Sequence, residues 1–141
     1  MSSFPVTMFV YGTLMKGFSN HYLLEACKYV GQGRTVSKYS LFTSHYPFVN
    51  STIEGTQIIG ELYEIPSQDI LSRIDELENH PVDYERTNVS VELIGDDGIV
   101  IIAAEIYFNN NLSIGEDTEK VPSGNFHDSI TSQKHKVVLK G

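Results

Sequence analysis

The stretch from Thr87 to Phe108 constrains the fold more than any other part of the chain. In Thr87–Ile94 the apolar residues Val89, Val91 and Leu93 alternate with Asn88, Ser90 and Glu92, the period-two pattern of a strand with one buried face. Gly95-Asp96-Asp97-Gly98 follows as a hairpin loop, and Ile99–Phe108 returns as a more apolar run, expected to be the more buried partner. A hairpin of this length commits the chain to a sheet with at least one antiparallel pair.

The remaining segments supply more strands than helices. Val6–Tyr11 is apolar and partly β-branched and runs into Gly12, which predicts a buried strand ending in a glycine turn. Val36–Phe42 and Gln57–Ile65 are also predicted strands, and Val137-Val138-Leu139 is a short strand-like run near the end. Tyr22, Leu23, Ala26 and Cys27 recur at helical spacing, predicting a short helix over Asn20–Tyr29 with Ser19 as its N-cap. Pro66 and Ser67 open a second helix. No repeat or low-complexity tract interrupts this order. The expected class is α+β, with a mixed, strongly curved sheet or small barrel. At 141 residues one domain is expected over 1–141, with the tail from about residue 127 mobile.

Charge and cysteine content narrow the function classes. Ten basic residues against eighteen acidic ones give a net charge of −8, which disfavours nucleic acid, whose phosphates demand clustered Lys and Arg, and anionic membranes. No apolar run approaches the ~20 residues of a membrane span. The first ten residues lack the basic n-region of a secretory signal, so a cytoplasmic protein is expected. The single cysteine, Cys27, excludes an internal disulfide framework and fits a small core residue better than a nucleophile. The histidines at 21, 45, 80, 127 and 135 show no metal-ligand spacing, and neither metal nor organic cofactor is expected. The acids are uneven: residues 61–97 hold eleven of the eighteen against two bases, Arg73 and Arg86, a net −9. Such a field attracts cations.

Two segments carry candidate chemistry. In the helix after Ser67, Ile70, Leu71, Ile74 and Leu77 define one apolar face. Asp69 and Glu76 point away from it and Asp75 lies on its flank, but Glu78 falls only roughly 50° from its centre. Partial burial and the negative end of the helix dipole both oppose ionisation of a carboxylate placed there. A raised pKa suits general acid–base work near neutrality. The second segment is Tyr11-Gly12-Thr13-Leu14. A strand that ends in glycine leaves backbone N–H groups open to an anion or oxyanion. Neither phosphate-loop pattern is present, nor the serine-hydrolase elbow.

Together these segments resemble the γ-glutamylcyclotransferase-like superfamily. Phe9-Val10-Tyr11-Gly12-Thr13-Leu14, followed by Lys16-Gly17, is similar to its opening signature. Tyr46-Pro47 resembles its Tyr-Pro step, and Gly60-Glu61-Leu62-Tyr63 its Gly-Glu-x-Tyr strand. Ile74-Asp75-Glu76-Leu77-Glu78-Asn79-His80-Pro81, then Tyr84-Glu85-Arg86, matches its Leu-Asp-x-x-Glu…Pro…Tyr-x-Arg block. Val121–Phe126 looks like the tail motif of the plant avirulence-induced and bacterial members, while Gly17-x-x-Asn20-His21 and Gly33-Arg34-Thr35 look like the γ-glutamylamine cyclotransferases. A bacterial relative that removes a γ-glutamyl protecting group in aminoglycoside biosynthesis fits too.

The resemblance implies a small mixed β-barrel flanked by helices. It implies that Glu78 is the catalytic acid–base, that Tyr11, Gly12, Thr13 and Leu14 bind the γ-glutamyl moiety through backbone groups, that Tyr84 lies beside Glu78 and that Tyr46 lines the pocket. The implied reaction cleaves a γ-glutamyl amide by attack of its own α-amine, releasing 5-oxoproline and a free amine. No enzyme nucleophile, metal or cofactor is required. The acidic stretch points to a cationic amine as the leaving group. Two competing readings are a non-catalytic small-molecule binding module on the same fold and an amide hydrolase that releases glutamate.

Overall fold

A computed structural model of the chain describes residues 4–44, 46–95, 98–111 and 118–129. Among the described residues the main elements follow in the order β1 (Val6–Val10), β2 (Lys28–Thr43), β3 (Pro47–Asn50), β4 (Thr56–Ile65), α1 (Gln68–Leu77), β5 (Glu85–Leu93), β6 (Val100–Phe108) and β7 (Glu119–Lys120), with a 3-10 turn at His21–Leu24 before β2. Five strands close a ring. β2 pairs with β4, β4 with β1, β1 with β6, β6 with β5, and β5 returns to β2 through Gly33–Thr35. The β1–β6 pair is parallel and the others antiparallel. The expected small mixed barrel is therefore the fold, and closure removes the open sheet edges that would otherwise invite pairing with other chains.

The long hairpin is present with the predicted alternation. Glu85↔Phe108 through Leu93↔Val100 pair in unbroken register, and Val91 is fully buried. Its loop residues 96–97 lie outside the described residues. The returning strand is buried only in its second half. Ile99 is 75% exposed and Ile101 56%, because the parallel partner β1 reaches only the β6 segment around Glu105. β2 begins eight residues earlier than expected and runs for 16 residues, with register shifts at Tyr29/Gly31 and Arg34/Lys38. Its far end leaves the ring to pair with β3 and β7. Neither of these short strands shows a sequence pattern of its own. The helix predicted over Asn20–Tyr29 is reduced to the 3-10 turn. Tyr22 and Ala26 are exposed, Leu24 is the buried residue, and Asn20, not Ser19, precedes the turn without a side-chain cap. Pairing of Lys28 onward with β4 takes the residues the helix needed.

The core runs through the barrel and out beneath α1. Met8, Phe9, Leu41, Phe48, Ile58, Leu62 and Ile106 fill the first part, and Ile65, Leu71 and Ile74 the second. Gly60 on β4 lets two strands approach closely. A Cβ there would stand 2.2 Å from the Val10 carbonyl oxygen and 2.7 Å from the Phe9 ring. Residues 126–129 are helical, while the strand expected at Val137–Leu139 and the rest of the tail lie outside the described residues. Among the described residues no helix is long and apolar enough to cross a membrane.

Candidate active site

The turn after β1 is held from one side. The Gly12 carbonyl accepts from Met15 N–H at 3.0 Å, the Thr13 carbonyl from Asn20 N–H at 3.0 Å, and the Leu14 carbonyl from His21 Nδ1–H at 2.9 Å. Asn20 Nδ2 also donates to Thr13 Oγ1 at 2.8 Å. These bonds fix the shape of the turn, and a turn so fixed can offer its peptide N–H groups to an anion. Gly12 is needed for contact, because a Cβ would come within 2.6 Å of Pro47 Cγ.

Glu78 arrives from the opposite wall. Ser67 caps α1, its Oγ accepting from Ile70 N–H, so the helix begins where the sequence predicts. Its end is a Schellman arrangement: Asn79 N–H donates to the Glu76 carbonyl at 3.1 Å, His80 N–H to the Asp75 carbonyl at 2.9 Å, and Asn79 is left-handed at φ 51°. The shape satisfies carbonyls that the helix end would otherwise leave unpaired. Glu78 is therefore the C-cap residue, still bonded through its own N–H to the Ile74 carbonyl. Its side chain keeps the predicted helical phase and is half-buried. Burial pushes its carboxyl up from 4.5 to about 7. Leu77, placed by the helical projection on the buried face, instead stands 39% exposed at the cavity rim.

All the singled-out residues converge on one cavity of about 280 Å³, lined by Tyr11, Gly12, Thr13, Leu14, Tyr46, Glu78 and Tyr84. Tyr84 is buried and donates to the Pro47 carbonyl at 2.7 Å. Tyr11 donates to the Tyr107 carbonyl at 2.7 Å and accepts from Val49 N–H at 3.3 Å. Burial, reinforced by the neighbouring Glu78 charge, raises both phenols above their ordinary value, so they serve as neutral hydrogen-bonding groups. Tyr46 is 44% exposed at the rim, its ring 6.2 Å from that of Tyr84. Sequence reasoning missed Tyr107, Asn20, Leu77 and Asp83 as lining residues. Only Asn20 carried a signal, in the Gly-x-x-Asn-His step. Tyr107 reaches the site from a strand that nothing local ties to it.

Among the described acids of residues 61–97, only Glu78 and Asp83 line the cavity. Asp75 and Glu92 are paired with arginines, and Glu61 accepts from Lys16 N–H and the Tyr63 hydroxyl. Among the described residues no lysine or arginine lines the cavity. Among the described residues no three His, Cys, Asp or Glu side chains gather into a metal-binding group.

The barrel thus brings a largely desolvated carboxyl and a glycine turn into one small cavity. The chain belongs to the gamma-glutamyl cyclotransferase, AIG2-like family, whose model matches residues 8–128, and it is an enzyme of the cyclotransferase type. A Methanocaldococcus jannaschii protein, MJ1514, is 38% identical over 122 residues, covering 86% of this chain and 95% of that one. Gamma-glutamylaminecyclotransferase A of Danio rerio is 31% identical over 102 residues, 66% of this chain and 63% of its own length. The crystal structure of PH0828 from Pyrococcus horikoshii superposes with a TM-score of 0.70 at 25% identity, covering 92% of this chain and 97% of that one.

Proposed function

We propose that the enzyme cyclises the γ-glutamyl group of a γ-glutamyl amine, releasing 5-oxoproline and a free amine, with Glu78 as the acid–base group. The single observation that carries this reading is the Glu78 carboxyl, raised to about 7 by burial, in the same small cavity as the Tyr11–Leu14 turn.

The chemistry follows from these groups. Ionised Glu78 takes a proton from the substrate α-ammonium. The freed amine attacks the γ-carbonyl carbon, forming the lactam C–N bond, and the carbonyl oxygen gains charge. Collapse of this tetrahedral species breaks the bond to the leaving nitrogen. Two protons leave the α-nitrogen in all and two reach the departing amine, one of them delivered by Glu78, so charge balances. Acid–base catalysis of this kind contributes roughly 10²–10⁴ in rate. Attack within one molecule needs the chain folded back on itself, and the cavity supplies that positioning, worth several kcal/mol. Among the described residues the cavity lining holds no lysine or arginine, so the substrate carboxylate or developing oxyanion falls to the N–H groups of the 11–14 turn.

The amine side of the substrate would leave past Tyr46, Leu77 and Asp83. The two carboxylates of the lining, Glu78 and Asp83, with no lysine or arginine beside them among the described residues, favour a cationic leaving group, such as a lysine-type side chain or an aminoglycoside.

The test is a panel of γ-glutamyl amines, γ-glutamyl dipeptides and γ-glutamyl-aminoglycosides, scored for 5-oxoproline with and without EDTA. Release of 5-oxoproline, insensitive to the chelator and rising with pH through about 7, is expected. Release of glutamate instead would make the enzyme a hydrolase. Loss of activity on chelation, restored by zinc or manganese, would refute the metal-free mechanism.

A further inference from the structure

Glu78 is the last point of a helical turn that is gripped by side chains from β5 and β6. Three residues earlier, the Asp75 carboxylate accepts a two-pronged bond from the Arg86 guanidinium, Nε to Oδ1 at 3.0 Å and Nη2 to Oδ2 at 3.3 Å. Its Oδ1 also accepts the Tyr107 hydroxyl at 2.5 Å. Arg86 Nη1 donates in turn to Glu105 on β6, and the Arg86 backbone N–H donates to His80 Nδ1 at 3.1 Å. The carboxylates and the guanidinium are about four-fifths out of water, with side-chain exposures of 19%, 22% and 18%. A planar fork this far from solvent holds a geometry that an exposed ion pair does not.

The cluster also reaches the opposite wall of the cavity. Tyr107, whose hydroxyl binds Asp75, offers its carbonyl to the Tyr11 hydroxyl, and Tyr11 begins the glycine turn. One chain of contacts thus runs from the turn through Tyr11, Tyr107 and Asp75 to the helix end that carries Glu78. The helical projection put Asp75 on the flank of the apolar face. Its partners come from β5 and β6 and give that flank a task.

We infer that Asp75 is a positioning residue: clamped by Arg86 and Tyr107, it fixes the last turn of α1 and so sets where the Glu78 carboxyl stands against the 11–14 turn. The inference rests on Glu78 as the acid–base group. The titratable groups facing Glu78 are Tyr11 from the turn, Tyr46 from the connection before β3, Asp83 and Tyr84 from the segment before β5, and Tyr107 from β6. Asp75, Arg86, Glu105 and His80 lie behind it.

Three variants test the inference: Asp75→Asn, Arg86→Met and Tyr107→Phe. Each should lower kcat by roughly tenfold to a hundredfold with KM changed less than about threefold, because a misplaced reacting group costs rate and not affinity. The second readout needs no activity: the titration of the Glu78 carboxyl, followed by carbon NMR on the labelled protein. A loosened helix end lets water reach Glu78, so its titration should move to lower pH in all three variants. Action of bare charge predicts opposite movements, down on loss of the Asp75 charge and up on loss of the Arg86 charge. Opposite movements would overturn the inference, and so would unchanged rate and titration in all three. Tyr107→Phe keeps the ring and every charge, so it carries the test if a charge variant does not fold. A wild-type protein that releases no 5-oxoproline refutes the proposed reaction, while the titration still decides the positioning role.

Discussion

Glu78→Gln should remove nearly all turnover and stabilise the protein above neutral pH. The folded carboxyl titrates near 7 and the unfolded one near 4.5. Between these values the folded protein holds a proton that the unfolded chain has released. This carboxyl's contribution is therefore fully present below about pH 4.5, falls as pH rises, and is lost above about 7. At 1.36 kcal/mol per pH unit the full loss is about 3 kcal/mol. Glu78 is only half-buried, and its remaining contact with water reduces this to about 1–2 kcal/mol. Glutamine keeps the shape and carries no charge, so the penalty disappears. The variant should gain about 1–2 kcal/mol relative to wild type between pH 5 and pH 8, or about 3–8 °C in Tm for a chain of this size. The measurement is thermal or urea unfolding of both proteins at several pH values, read as the difference between them. Every other titrating group cancels in that difference, and so does any constant cost of burying an amide. A difference independent of pH would refute the reasoning, because it would mean that Glu78 titrates alike folded and unfolded. The same variant should lose roughly 10²–10⁴ in kcat, so a group that costs stability in the working pH range would be the one the reaction needs.

Other outcomes can be checked alongside. Gly12→Val should lower kcat/KM at least tenfold in a folded protein, since its Cβ would strike Pro47 at 2.6 Å and crowd the turn; normal kcat/KM would reduce the turn to a structural connection. Gly60→Ala should be strongly destabilising in urea titrations, by about 2 kcal/mol or more, because the contact it meets at 2.2 Å is backbone. A γ-glutamyl derivative with a cationic amine should show higher kcat/KM than γ-glutamyl-alanine, with the advantage shrinking as salt is raised, since attraction by Glu78 and Asp83 is screened over about 8–10 Å. Equal values at all salt concentrations would remove the electrostatic argument.

What the sequence determined by itself is local. The hairpin follows from period-two alternation around a glycine-bounded loop. The start of α1 follows from Ser67, and the phase of Glu78 from a 3.6-residue period that holds through Ile74. The turn at Gly12 is legible because a strand stops there. Tertiary structure decided everything that depends on a distant partner. The 3-10 turn replaces a helix because Lys28 onward pairs with β4. β3 exists because Leu41–Thr43 of a bent β2 lies beside it. Asp75 looks like a solvated flank until β5 and β6 bring Arg86 and Tyr107 against it. The raised titration of Glu78 is likewise not a property of its helix. Helical phase can point a carboxylate at the core, but only the walls around it, assembled from segments up to about a hundred residues apart, remove the water that would hold it at its ordinary value.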